Sequence, residues 1–143
     1  MSTSSTPADT AYPGQRLGRP PTGPGSVASW RRRILALCVD WFASLAVAGG
    51  LTGGAALSSQ GWAAWLPMLV FLVEASTLTP LIGGSFGQVL TRVAVVRLDG
   101  GPVSLLAAVV RTTMICLVVP PVVYNRDKRG LHDLLVGTLT VQR

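Results

Sequence analysis

Asp40 stands inside a long apolar run that opens on three arginines, Arg31-Arg32-Arg33-Ile34-Leu35-Ala36-Leu37-Cys38-Val39-Asp40. No other feature constrains the chain as much. An ionised carboxylate on a lipid-facing helix costs roughly 2.5–3.5 kcal/mol, so Asp40 is expected to face a protein interior. Residues seven apart on a helix lie nearly two turns along one face, which puts Arg33 and Asp40 on the same side about 10 Å apart. That separation is too long for a direct ion pair without snorkelling.

Composition agrees that this run lies in lipid. Only 13% of the 143 residues are charged, against about 25% in soluble domains, and mean hydropathy is +0.49. The net charge of +6 alone would fit a nucleic-acid binder. The basic residues, however, cluster beside apolar runs, at Arg31 to Arg33 and at Arg126, Lys128 and Arg129, as on the cytoplasmic flank of a membrane. No RNP-like, zinc-finger or helix-turn-helix pattern accompanies them, so nucleic acid is not an expected partner. Cys38 and Cys116 fall in apolar segments as small hydrophobes. With no metal-ligand spacing in the sequence, neither metal nor cofactor is expected.

The chain reads as an all-α membrane protein with apolar spans near residues 34–57, 62–82 and 103–124. Residues 1–29, rich in Ser, Thr, Pro and Gly, read as a disordered cytoplasmic tail, and residues 30–143 as the membrane domain. One face of the first span carries Arg33, Ala36, Asp40, Ala43, Ser44, Val47, Gly50 and Gly54. Gly49/Gly53 and Gly50/Gly54 form G-x-x-x-G pairs suited to close helix packing. A twin-arginine export signal is the rival reading of this stretch, opposed by Asp40 and by the two later spans.

Trp62 and Trp65 open the second span as headgroup anchors. Pro80 is expected to kink or end it. Glu74 and Thr77 lie between, either as a proton or cation site or as interhelical hydrogen-bonding groups. Gly83 to Gln88 breaks the span. Val89 to Leu98 then reads as a short strand or an interfacial helix, and the tail Thr138 to Gln142 is also β-prone. A short cytoplasmic β pairing of the two requires both on one side of the membrane. Pro120-Pro121 should stop the third helix near Val119, after about 17 residues or roughly 25 Å. A full third crossing would also put Arg126, Lys128, Arg129 and Arg143 outside. The reading therefore favours two full crossings plus a bent or re-entrant third element over a third crossing, with Arg111 as partner of Asp40 or Glu74.

Arg33-x-x-Ala36-x-x-x-Asp40, then Ser85-x-Gly87, Arg111, and Arg129-Gly130-Leu131-His132-Asp133 ahead of Thr138-x-x-Val141 together resemble the RDD family of small bacterial membrane proteins. Under that resemblance the name-giving arginine and two aspartates correspond to Arg33, Asp40 and Asp133. Many members carry a lysine where this chain has Gln88. The resemblance implies a multi-pass protein of the bacterial cell (inner) membrane, and the basic flank at Arg31 to Arg33 puts its amino terminus in the cytoplasm. It leaves activity open, with transport of ions or small solutes usually suspected.

His132 beside Asp133 is not read as catalytic, because adjacent side chains point apart and no nucleophile is placed with them; no enzyme is expected. Asp133 is expected to cap a short segment or to pair with Arg126 or Arg129. Two functions follow: a bundle in which Asp40, Glu74, Thr77 and Arg111 help to move a proton, cation or small solute, or a membrane scaffold binding other membrane proteins. Transport through so few helices would call for a homo-oligomer.

Overall fold

A computed structural model describes residues 12–58, 60–117 and 128–143. The first helix, α1 (Trp30–Leu51), starts where Ser29 accepts the Arg32 N–H through its side chain, a standard N-cap that satisfies one of the free donors of the first turn. Its buried residues include Ala36, Asp40, Ser44 and Ala48, a stripe at strict four-residue spacing that only small side chains and one carboxylate occupy. The helix stops before the expected residue 57. Gly53 and Gly54 take positive φ values of 58° and 93°, and the Gly54 N–H reaches back to the Gly49 carbonyl at 2.8 Å, closing the last turn as glycine after a helix end does.

A short 3-10 turn, Trp62–Trp65, leads into α2 (Leu66–Ile82). Pro67 sits in the first turn, where a missing N–H costs nothing. Pro80 lies inside the helix, which ends two residues later on Gly83 in the left-handed region. α1, and the 21 residues from Trp62 to Ile82, are long and apolar enough to cross a membrane. The stretch expected to be either strand or helix is both: α3 (Phe86–Leu90) is followed by β1 (Val93–Arg97), with Arg92 at φ 55° turning the chain between them.

α4 (Leu105–Cys116) starts on the Ser104 side chain and is followed, after residues 118–127, by α5 (Leu131–Val136) and β2 (Thr138–Gln142). β1 and β2 pair antiparallel, from Val93↔Gln142 to Arg97↔Thr138, as the two β-prone stretches predicted. The Leu98 N–H also bonds to the Gly137 carbonyl at 3.1 Å. The chain between them therefore leaves and returns at one end of the bundle. The stop near Val119 and the path of residues 118–124 lie outside the described residues.

The expected disordered tail needs correction at its end. Gly25 donates to Gln142 at 2.8 Å, Gln142 to Ser26 at 2.9 Å and Ala28 to Thr140 at 2.9 Å, so residues 25–28 cover the second edge of β2. An uncovered edge of unpaired amides would be unfavourable beside an apolar bundle. Residues 1–11 of that tail lie outside the described residues.

Side chains are distributed inside out. The buried apolar set is mostly alanine and valine, whereas Phe42, Leu51, Trp62 and Leu106 are at least 70% exposed. A water-soluble fold buries its large side chains, while helices packed in lipid put small residues between them and large ones outside.

Candidate functional site

Asp133 lies at the centre of the most connected polar cluster. Its side chain is fully buried, in the first turn of α5. Arg111 Nε donates to Oδ1 at 2.9 Å, Thr138 Oγ1 donates to the same oxygen at 2.9 Å, and Thr140 Oγ1 donates to Oδ2 at 2.9 Å. Arg33 Nη1 stands 3.9 Å from Oδ2 and His132 Nε2 3.7 Å from Oδ1. Burial by itself would raise the carboxyl, but Arg111, His132 and Arg33 outweigh it and hold the group well below the usual carboxylate range. Arg129 closes the cluster from the backbone side, donating to the Thr138 and Asp133 carbonyls.

This overturns the pairing expected for Arg111. It faces Asp133, not Asp40 or Glu74, because the return of the tail to β1 brings α5 against α4. Asp133 in turn pairs with Arg111 and Arg33; of the two arginines expected there, Arg129 donates to the Thr138 and Asp133 carbonyls, and Arg126 lies outside the described residues. Arg33 does not remain isolated either: its Nε and Nη2 donate to the carbonyls of Ala28 and Thr140 at 3.1 and 3.2 Å.

Asp40 sits midway along the 22-residue α1 and holds α3. Its Oδ2 accepts from Ser85 Oγ at 2.6 Å and its Oδ1 from the Gly87 N–H at 2.5 Å. A Cβ at Gly87 would collide with the Ala36 carbonyl oxygen and come within 2.8 Å of Asp40 Oδ1. The spaced pattern Ala36, Asp40, Ser85 and Gly87 is thus one contact, in which a helix turn seats against a carboxylate. Glu74 adds a second grip, its Oε1 accepting from the Phe86 N–H at 2.6 Å. Gln88 completes a capping box with Ser85.

A cavity of about 80 Å³ joins the two clusters. Arg33, Arg111, His132 and Thr140 line one end of it, and Asp40, Ser85 and Gln88 the other. Its walls include Ile34, Leu37, Phe71, Ala75 and Ile115. A single water needs about 10–15 Å³ of such space, so several waters or one small polar group fit. Among the described residues no cluster of side chains could hold a metal ion.

Two predicted groups fall elsewhere. Thr77 is exposed and bonds to the Val73 and Glu74 carbonyls of its own helix, so it is not part of an interior site. Gly53 and Gly54 lie in the turn beyond α1, and Gly50 is exposed with open space around its Cα, so the G-x-x-x-G pairs do not form a helix face. Only Gly49 is buried there, against Leu57. Thr140 was missed, although the signal was present: residues two apart on a strand share a face, so Thr138 and Thr140 had to point together at whatever one of them met.

The sequence model of the RDD family matches residues 27–137, a span that contains Arg33, Asp40, Arg111 and Asp133, with Thr138 and Thr140 just beyond it. Among curated proteins and among solved structures, nothing matches. Family membership and the two long apolar helices together point to a membrane location. On this match, which covers most of its length, the chain belongs to the RDD family.

Proposed function

We propose that this is a multi-pass protein of a bacterial cell membrane, with its sheet and amino terminus in the cytoplasm. Its polar interior would pass a proton, cation or small solute. The orientation rests on charge: Arg31, Arg32, Arg33, Arg92, Arg97, Lys128, Arg129 and Arg143 all belong to segments at the sheet end, whereas residues 52–65 at the far end carry no charge. Positive flanks stay in the cytoplasm. α4, at 12 residues, is roughly 18 Å long and falls short of a core of about 30 Å. We read the element it begins as re-entrant.

The observation that carries the functional reading is the cavity, which runs from Arg33 and Thr140 at the sheet end to Asp40 at mid-helix. An intramembrane carboxylate that lines an interior cavity marks a candidate ion or proton site. Among the described residues the cavity ends at that depth, so a complete path calls for more than one copy. Proteoliposome flux assays with protons, monovalent cations and small solutes test this. Wild type should carry one of them and Asp40→Asn should not, while keeping the wild-type melting temperature. No flux of any of the three overturns the reading.

A second reading, a scaffold or accessory subunit binding other membrane proteins, is favoured by the internal satisfaction of the Asp133 cluster. Arg111, Thr138 and Thr140 are used on Asp133, so these polar groups fasten the tail to the helices and need move nothing. Affinity capture from native membranes should then recover a defined partner protein. Recovery of lipid alone would exclude this reading.

A further inference from the structure

A second cavity, of about 360 Å³, lies at the sheet end of the bundle and shares no lining residue with the first. Thr79 and Pro80 from the end of α2, Arg97 from β1, Val103 ahead of α4 and Arg19 from the amino-terminal segment line it. Three glycines in its wall, Gly83, Gly100 and Gly101, bring no side chains into the space and so leave it open. Its size falls within the range of roughly 300–1,000 Å³ of small-molecule sites. Arg19 is held there by a folded-back loop. The N–H groups of Leu17 and Arg19 both donate to the Gly14 carbonyl, at 2.9 and 3.1 Å. Gly14 packs so closely on Val27 that a Cβ would lie 2.5 Å from its Cγ2, and Val27 bridges to Val141 of β2.

The charges of this wall leave one cation over. Arg97 grips Asp99 through Nε and Nη2 at 3.0 and 2.5 Å, which makes a neutral pair. The half-buried Arg19 side chain has no hydrogen bond or ion pair among the described residues. The other described carboxylates are used elsewhere, Asp40 by Ser85, Glu74 by Phe86 and Asp133 by Arg111. Thr79 is 1% exposed, and its hydroxyl has no partner among the described residues, an arrangement that favours an added acceptor.

The depth of the cavity narrows the choice of ligand. Pro80 is followed by Leu81 and Ile82, 75% and 47% exposed, and Val103 is followed closely by Leu105 and Leu106, 57% and 73% exposed. Large apolar side chains turned outward mark the part of a membrane protein that faces lipid. The cavity therefore stands where the hydrocarbon ends and headgroups begin.

We propose that this cavity is a phosphate site, in which the guanidinium of Arg19 takes the phosphate of a phospholipid and the acyl chains run along Leu81 and Leu106. The planar fork of arginine matches two phosphate oxygens at once, and basic pockets between membrane helices bind phospholipid headgroups. One unpaired guanidinium balances the single negative charge of a phosphodiester. The site does not depend on flux through Asp40, so loss of either function leaves the other measurable.

Thermal melting of the delipidated full chain in maltoside micelles tests it, with phosphatidylglycerol, inorganic phosphate or acetate added at matched ionic strength. Phosphatidylglycerol should raise the melting temperature by several degrees. Arg16→Gln, at an exposed arginine outside the cavity wall, should keep that rise, whereas Arg19→Gln should lose most of it. Arg19→Gln breaks no bond among the described residues, so its lipid-free melting temperature should equal that of wild type. Thr79→Val, which keeps the shape of the side chain, should weaken the rise. Native mass spectrometry gives a second readout, with bound phosphatidylglycerol expected to fall at least fivefold in Arg19→Gln. A rise with inorganic phosphate that Arg19→Gln removes would support the phosphate site with a soluble source in place of the lipid. No rise with either source, an equal rise with acetate, or full retention in Arg19→Gln would overturn the proposal.

Discussion

Arg111 Nε lies 2.9 Å from Asp133 Oδ1, with side chains 4% and 0% exposed, and joins α4 to the carboxyl-terminal segment across 22 positions of sequence. This pair decides where the end of the chain can sit. A charge pair this deep offsets its desolvation only while both partners are present.

Removing one partner should therefore cost more than removing both. Asp133→Ala or Arg111→Leu is expected to destabilise the chain by about 3–5 kcal/mol, and the double variant Arg111→Leu/Asp133→Ala by clearly less than the sum. Denaturant unfolding in detergent of the three variants measures the coupling. Strict additivity would mean that the pair does not act as a unit.

Asp133 also gives the pH response a direction. Its carboxyl is depressed in the folded chain, with burial opposed and outweighed by Arg111, His132 and Arg33. Its stabilisation is then complete above the unfolded value of about 3.9 and is lost as pH falls toward the lower folded value. Melting temperature should not respond to this group between about pH 8 and 5. Below about pH 4 wild type should lose stability more steeply than Asp133→Asn. Equal slopes there would rule out Asp133 as the source.

The seat of α3 on α1 predicts a steric effect. Gly87→Ala places a methyl group on the Ala36 carbonyl and Asp40, and should cost about 1–3 kcal/mol as overpacking does. Ser85→Ala removes the donor to Asp40 Oδ2 and should cost a similar amount, about 1–3 kcal/mol, by leaving a buried acceptor short of a partner. Thermal melts of both, set beside Ser85→Thr, check this; a neutral Gly87→Ala would contradict the packing.

At the far end the expected effect is opposite. Gly50 lies within α1 with nothing within 4 Å of an added Cβ, so Gly50→Ala should be neutral or stabilise by about 0.5–1 kcal/mol. Cross-linking in membranes should give the same oligomer for Gly50→Ala and wild type. Loss of the oligomer would restore a G-x-x-x-G interface that the fold of one chain does not use.

Much of this architecture was legible in the sequence because hydropathy and β propensity are local properties. The two long apolar helices, the burial of Ala36, Asp40 and Ser44 on one face of α1 and the pairing of residues 93–97 with 138–142 follow from runs and alternation, whereas Val47 and Gly50, expected on that face, are exposed. Partners across the fold were less legible. Arg111 could have met any carboxylate of the interior, and only the return of the tail through β2 selects Asp133. The glycines after α1 misled for a related reason. G-x-x-x-G spacing is identical whether the last two glycines continue a helix or end it, and the positive φ at Gly53 and Gly54 decides for an end. Residues 25–28 gave no β signal of their own, since their extended form depends on the free edge of β2.

The central claim is that both termini of the membrane domain lie on the side of the Arg33–Asp133 cluster. With Cys38 and Cys116 replaced, single cysteines at Thr22, Gln60 and Gln142 can be labelled in intact cells with a membrane-impermeant maleimide. The proposed orientation predicts labelling of Gln60→Cys from outside, and of Thr22→Cys and Gln142→Cys only after the cytoplasmic side is opened. Labelling of Gln142→Cys from outside would separate β2 from residues 25–28 and contradict the account.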